Sequence, residues 1–111
     1  MATVSNLFVD AGASYSNIIS VAASNGQALD LTGYTVASQM RKSYSSNTAY
    51  NFAASIYSAS TGKVRLQLTP EQSSSIPAGR WLYDVEITSP SGTKTRVVEG
   101  IVTVAPQITQ I

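Results

Sequence analysis

Trp81-Leu82-Tyr83-Asp84-Val85-Glu86-Ile87-Thr88 decides the fold class. Trp81, Tyr83, Val85 and Ile87 are apolar or aromatic, and Asp84 and Glu86 fall between them. A period of two sends alternate side chains to opposite faces, so this stretch reads as a half-buried β-strand. Val64-Arg65-Leu66-Gln67-Leu68 repeats the pattern, with Val64, Leu66 and Leu68 on one face. Working outward, Tyr34 to about Lys42 gives a strand with Tyr34, Val36 and Met40 inside. Phe52, Ala54 and Ile56 mark another between about Thr48 and Tyr57. Tyr15, Ile19 and Val21 suggest one nearer the N-terminus, and Val4 to Val9 a weaker one. Thr95 to Val104 is apolar on both faces, with Val97 and Ile101 against Val98, Val102 and Val104. Such a segment is a central strand, a strand with a bulge near Gly100, or a surface that another chain covers.

Turn residues punctuate these segments. Ser24-Asn25-Gly26, Ser60-Thr61-Gly62 and Ser89-Pro90-Ser91-Gly92 each supply turn chemistry before a strand. One helical piece stands out, Thr69-Pro70-Glu71-Gln72-Ser73-Ser74-Ser75. Thr69 suits the N-cap, Pro70 the first helical position and Gln72 the capping-box return, and the serine run limits the helix to a turn or two. The expectation is an all-β chain: a single antiparallel β-sandwich of about seven strands, immunoglobulin-like and Greek-key in type, with one short helical turn near 70–75. The chain's 111 residues suffice for one domain, 1–111. Residues 105–111 read as a C-terminal tail. Ile108 and Ile111 lie beyond Pro106, which ends the last ladder, so they fold back on the domain's own edge or dock on a neighbour.

Composition removes most site chemistry. The chain has no Cys and no His, which excludes thiolate zinc sites, cysteine nucleophiles and histidine-based triads. Seven Lys+Arg against six Asp+Glu give a net charge of +1, with no basic run and no phosphate-binding glycine loop. Nucleic acid is not an expected partner, and no apolar run approaches a membrane span. No cofactor or metal is expected. Asp84 and Glu86 share a strand face at a spacing that a glycosidase could use, but the reading preferred is the solvated side of an amphipathic strand. The 17 Ser and 11 Thr wet the surface with hydroxyls instead of ions, and a hydroxyl is cheaper than a charge to cover with another protein. Tyr44, Tyr50 and Tyr57 flank a serine-rich loop and are the candidate contact residues, together with Ile108 and Ile111.

The order of segments also resembles a known type. Leu29-Asp30-Leu31-Thr32-Gly33-Tyr34-Thr35, Gly62 through Gln72, Gly79 through Ile87, and Ser91-Gly92-Thr93 through Val104 resemble the small β-sandwich modules of tailed-phage virion proteins, of the type at the N-terminus of baseplate upper proteins. The likeness runs from about Leu29 to Thr109, and more loosely from Val4. It implies a non-enzymatic virion structural protein, a tail, baseplate or neck accessory subunit or a capsid decoration, assembled in the host cytoplasm. Such a protein works by homo-oligomerisation and by docking to other virion structural proteins. The alternative is a module that binds host-surface glycan through exposed tyrosines.

Overall fold

The computed structural model describes residues 3–23, 26–43 and 45–106. The described chain is mostly β, in two open sheets with one short helix. In chain order it contains β1 (Thr3–Val4), β2 (Leu7–Asp10), β3 (Tyr15–Ser20), β4 (Thr35–Arg41), β5 (Ala49–Asn51), β6 (Ala53–Ser58), β7 (Lys63–Leu68), α1 (Pro70–Ser74), β8 (Gly79–Thr88) and β9 (Lys94–Ala105). The six-stranded sheet runs β1-β9-β8-β4-β5, with β2 also on β9, and the three-stranded sheet runs β3-β7-β6. The two layers pack in a sandwich-like way. Tyr15 from the smaller sheet, Phe52 at the crossing and Tyr83 from the larger sheet form a line of rings, with centroids 5.9 and 6.1 Å apart.

The alternation read from the sequence places the core. Trp81, Tyr83, Val85 and Ile87 of β8 are buried, as are Val64, Leu66 and Leu68 of β7 and Met40 of β4. Burying each such side chain favours folding by roughly 1.5–3 kcal/mol. Ser38 is the polar exception on the inner face of β4. Its hydroxyl donates to the Asp84 carbonyl at 2.6 Å, which offsets its burial. The helix has the expected cap: the Thr69 hydroxyl accepts from the Gln72 amide, and the Gln72 side chain accepts from the Thr69 amide. Ser73, fully buried, ties α1 to the β2–β3 turn, accepting from the Gly12 amide and donating to the Ala13 carbonyl. Gly62 closes the β6–β7 turn at φ +67, where a Cβ would meet the Leu29 carbonyl oxygen at 2.6 Å.

Two expected strands are broken, so the described residues form nine strands where about seven were expected. The segment Thr48 to Tyr57 divides at Phe52. β5 pairs with β4 in the larger sheet, β6 pairs with β7 in the smaller, and the buried Phe52 sits where the chain changes layers. The N-terminal segment divides at Ser5 and Asn6, yet keeps one register along β9: Thr3 lies opposite Val98 and Leu7 opposite Val102. That pairing is parallel, which corrects the expectation of a wholly antiparallel sandwich.

The interruption has a local cause. Gly100 faces the core opposite Tyr83, and the Ser5 carbonyl occupies the space a side chain would take there. The Tyr83 hydroxyl donates to that carbonyl, and Asn6 Oδ1 accepts from the Ile101 amide, so side chains take over where the ladder lapses. Burial pushes the Tyr83 hydroxyl up to about 12. The bulge in β9 falls at Val97, where the register against β8 shifts between Val85 and Glu86. Val98, Val102 and Val104 point inward and Ile101 outward, which resolves the two-faced apolarity of this segment.

Candidate functional site

The two solvent faces differ in chemistry. On the smaller sheet, Ser16, Ile18 and Ser20 of β3 lie beside Gln67, Arg65 and Lys63 of β7, and β6 adds Ala53 and Ser55 on the other side. Lys63 Nζ donates to the Ser20 hydroxyl at 3.3 Å, and the Arg65 guanidinium lies 4.6 Å from the Tyr57 ring centroid. This is the hydroxyl-rich surface the composition predicts.

The outer face of the larger sheet carries the charges. Down β8 it presents Arg80, Leu82, Asp84 and Glu86; Arg41 and Gln39 flank them on β4, and Thr103, Ile101 and Glu99 on β9. Asp84 and Glu99 are directly opposite, an unfavourable like-charge pair. Arg96 relieves it, reaching Asp84 at 3.2 Å and Glu99 at 3.9 Å. Burial of the Asp84 carboxyl raises its pKa, Glu86 adds to the rise, and Arg96 counters it. A shallow depression of about 210 Å³ lies here, lined by Gln39, Arg41, Asp84, Arg96 and Glu99 among others. The Asp84–Glu86 pair of the sequence reading is therefore one part of an ion-paired sheet face.

A raised carboxyl pKa means that the folded state binds a proton more readily than the unfolded state. Stability from this group is greatest in acid and declines as pH rises through the folded value. Asp84→Asn, measured in dilute protein, is therefore expected to raise the melting temperature slightly at pH 7. The gain should vanish near pH 3, where the native carboxyl is protonated. A lower melting temperature at pH 7 would mean that the Arg96 pairing outweighs burial.

Among the described residues, Val4, Phe8, Ile18, Tyr57 and Ile101 are the large apolar side chains left exposed, Phe8 at 75% and Val4 at 71%. Three of them share the outer face of the larger sheet. Val4 lies beside Glu99 and Phe8 beside Thr103, so each is diagonal to Ile101, at a spacing of roughly 7–8 Å. Leu82 continues the patch next to Ile101.

The two described candidate tyrosines, Tyr50 and Tyr57, lie on different sheets. Tyr50 stands edge-on to Trp81 at 5.3 Å, in the larger sheet, whereas Tyr57 is half exposed on the smaller sheet. Tyr44, Ile108 and Ile111 lie outside the described residues. Sequence reasoning passed over Phe8, Leu82 and Arg80. Phe8 had a readable signal: Leu7-Phe8-Val9 on an edge strand with Leu7 and Val9 buried leaves Phe8 pointing to solvent. Among the described residues, no group of three or more His, Cys, Asp or Glu side chains is placed to hold a metal ion. No protein-family model matches the chain, and no curated protein matches it.

Proposed function

We propose that this chain is a non-enzymatic structural subunit of a tailed-phage virion, acting through self-association and docking to other virion proteins. The observation that carries the reading is the outer face of the larger sheet, where exposed Val4, Phe8 and Ile101 lie beside unburied charges. A contiguous exposed apolar patch rimmed by polar groups marks a contact surface. The segments that resemble phage β-sandwich modules supply the setting: tail, baseplate, neck or capsid surface.

The finer fold reading, an immunoglobulin-like Greek key, belongs to the same proposal. Its support is the strand order. The chain crosses between layers after β2, β3, β5 and β7, and it makes same-sheet hairpins at β4–β5, β6–β7 and β8–β9.

The test is binding between the purified chain and the products of the genes that flank its own. Saturable binding to one virion structural protein, and co-sedimentation with assembled particles, is the expected result. The glycan reading draws on the exposure of Tyr57. Saturable binding to host-surface polysaccharide that is lost in Tyr44→Ala and Tyr57→Ala, with no binding to virion proteins, would replace the structural reading.

A further inference from the structure

The geometry points to a second copy of this chain as the occupant of the outer face of the larger sheet, related by a two-fold axis that sets the two β8 strands antiparallel across the contact. This rests on the structural-subunit reading and names its self-association surface. Three observations carry it.

The first is the apolar patch. Val4 lies at the level of Glu99 and Phe8 at that of Thr103, two residues to either side of the Ile101–Leu82 pair, so a two-fold axis lying across the strands at that pair returns the patch to itself. Phe8 then meets the partner's Val4, and Ile101 and Leu82 meet their own counterparts. A patch that closes on itself gives a finite dimer instead of a fibre.

The second is the charge pattern along β8. At the end where the strand begins, Arg80 and Arg41 face solvent with Lys42 beside them; Lys42 Nζ donates to the Arg80 carbonyl at 3.1 Å. Arg80 has no ion-pair partner among the described residues. Toward the other end, three carboxylates (Asp84, Glu86 and Glu99) stand against two cations, Arg96 opposite Glu86 and Lys94 opposite Thr88. One end is net basic and the other net acidic, which is the arrangement that complements itself when a copy is turned end for end. Arg80 then reaches the partner's Asp84 and the partner's Glu86. These two lie about 7 Å apart along the strand, within the reach of one arginine. A parallel apposition of β8 would instead set like charges together.

The third is size. β8 spans ten residues and the sheet is five strands wide across it. Because β4, β5, β1 and β2 are shorter than β8, the face covers about 600 Å², somewhat below the roughly 800 Å² each partner contributes to an interface of standard size.

The experiment is sedimentation of the full chain over a concentration series at low and moderate salt. The variants are Phe8→Glu with Ile101→Glu, Arg80→Glu, Glu86→Arg and the double swap. The wild type is expected to form a dimer that weakens with salt. The Phe8/Ile101 variant should be monomeric over the same range, with a circular dichroism spectrum like that of the wild type. Arg80→Glu and Glu86→Arg should each weaken the dimer about tenfold, the scale of about 1.4 kcal/mol. Combining the two swaps in one chain, or mixing the two single variants, should restore it to within about threefold, because both routes rebuild the opposite-charge contacts. An oligomer untouched by these substitutions overturns this face and leaves the structural-subunit reading standing. A dimer that is lost in the Phe8/Ile101 variant, but that the single charge swaps weaken without the combined swap restoring it, overturns the antiparallel register. A wild type that stays monomeric overturns the second copy as occupant, whatever binding to virion proteins is found.

Discussion

Gly100→Ala is expected to lower stability by about 3 kcal/mol, and the melting temperature by roughly 10–15 °C. A Cβ at this position would run into the Ser5 carbonyl oxygen and lie within 2.9 Å of the carbon that bears it. The obstacle is backbone, so no rotamer change relieves it. The chain must push Ser5 away from β9, which removes the Ser5 amide to Glu99 carbonyl bond of 2.9 Å and the acceptor of the Tyr83 hydroxyl. Leaving a buried hydroxyl without a partner adds about 1–3 kcal/mol. Thermal denaturation followed by circular dichroism measures the loss, and hydrogen exchange locates it, with protection falling first along β1 and β2. A melting temperature within about 1 °C of wild type would show that the N-terminal segment does not depend on this contact.

Trp81→Ala should cost still more, about 3–5 kcal/mol. The indole is 4% exposed, packs edge-on against Tyr50, and donates from Nε1 to the Pro77 carbonyl at 2.9 Å. Lys42 Nζ lies over it at 4.9 Å from the ring centroid. Truncation opens a cavity between the start of β8 and the short strand β5, and leaves the Pro77 carbonyl without its donor. Trp81 is the only tryptophan in the chain, so urea denaturation has to be followed by circular dichroism rather than by fluorescence. Trp81→Phe separates the causes: it keeps most of the packing and loses the Pro77 bond, at about 1 kcal/mol. Equal losses in the two variants would assign the effect to the hydrogen bond instead of the ring.

Much of the fold was legible because period-two alternation is a direct consequence of one buried face. Trp81, Tyr83, Val85 and Ile87 needed nothing else to be placed, and neither did the Thr69–Gln72 cap, whose geometry is local. The two strand breaks were not legible. Phe52 continues the alternation of Ala54 and Ile56 without interruption, because a residue at a layer crossing is as buried as one within a sheet. The gap at Ser5 and Asn6 depends on Gly100, which is far away in sequence and adjacent only once β9 is paired. Parallel pairing of the N-terminal segment leaves no mark in alternation at all. The candidate contact surface was legible in part. The apolarity of Val97 and Ile101 on the second face of the last strand raised the idea of a covered surface, and Ile101 lies within the exposed patch. Phe8 and Val4 join it only through their register with Thr103 and Glu99.

That register also explains why the two flanks of the sandwich differ. The three-stranded sheet turns serines and Gln67 outward around Arg65, and its lysine already bonds the Ser20 hydroxyl. The larger sheet turns outward the groups that gain most from being covered: an exposed phenylalanine, two exposed aliphatic side chains and an arginine without an ion pair among the described residues, opposite a surplus of carboxylates. Covering charge with complementary charge fixes orientation, and covering the apolar strip supplies the drive.

Sedimentation equilibrium of the intact chain, from low micromolar to several hundred micromolar, tests this account most directly. The account predicts a mass that rises with concentration and levels at twice the 11.7 kDa of one chain. A single species of one-chain mass over the whole range would contradict it.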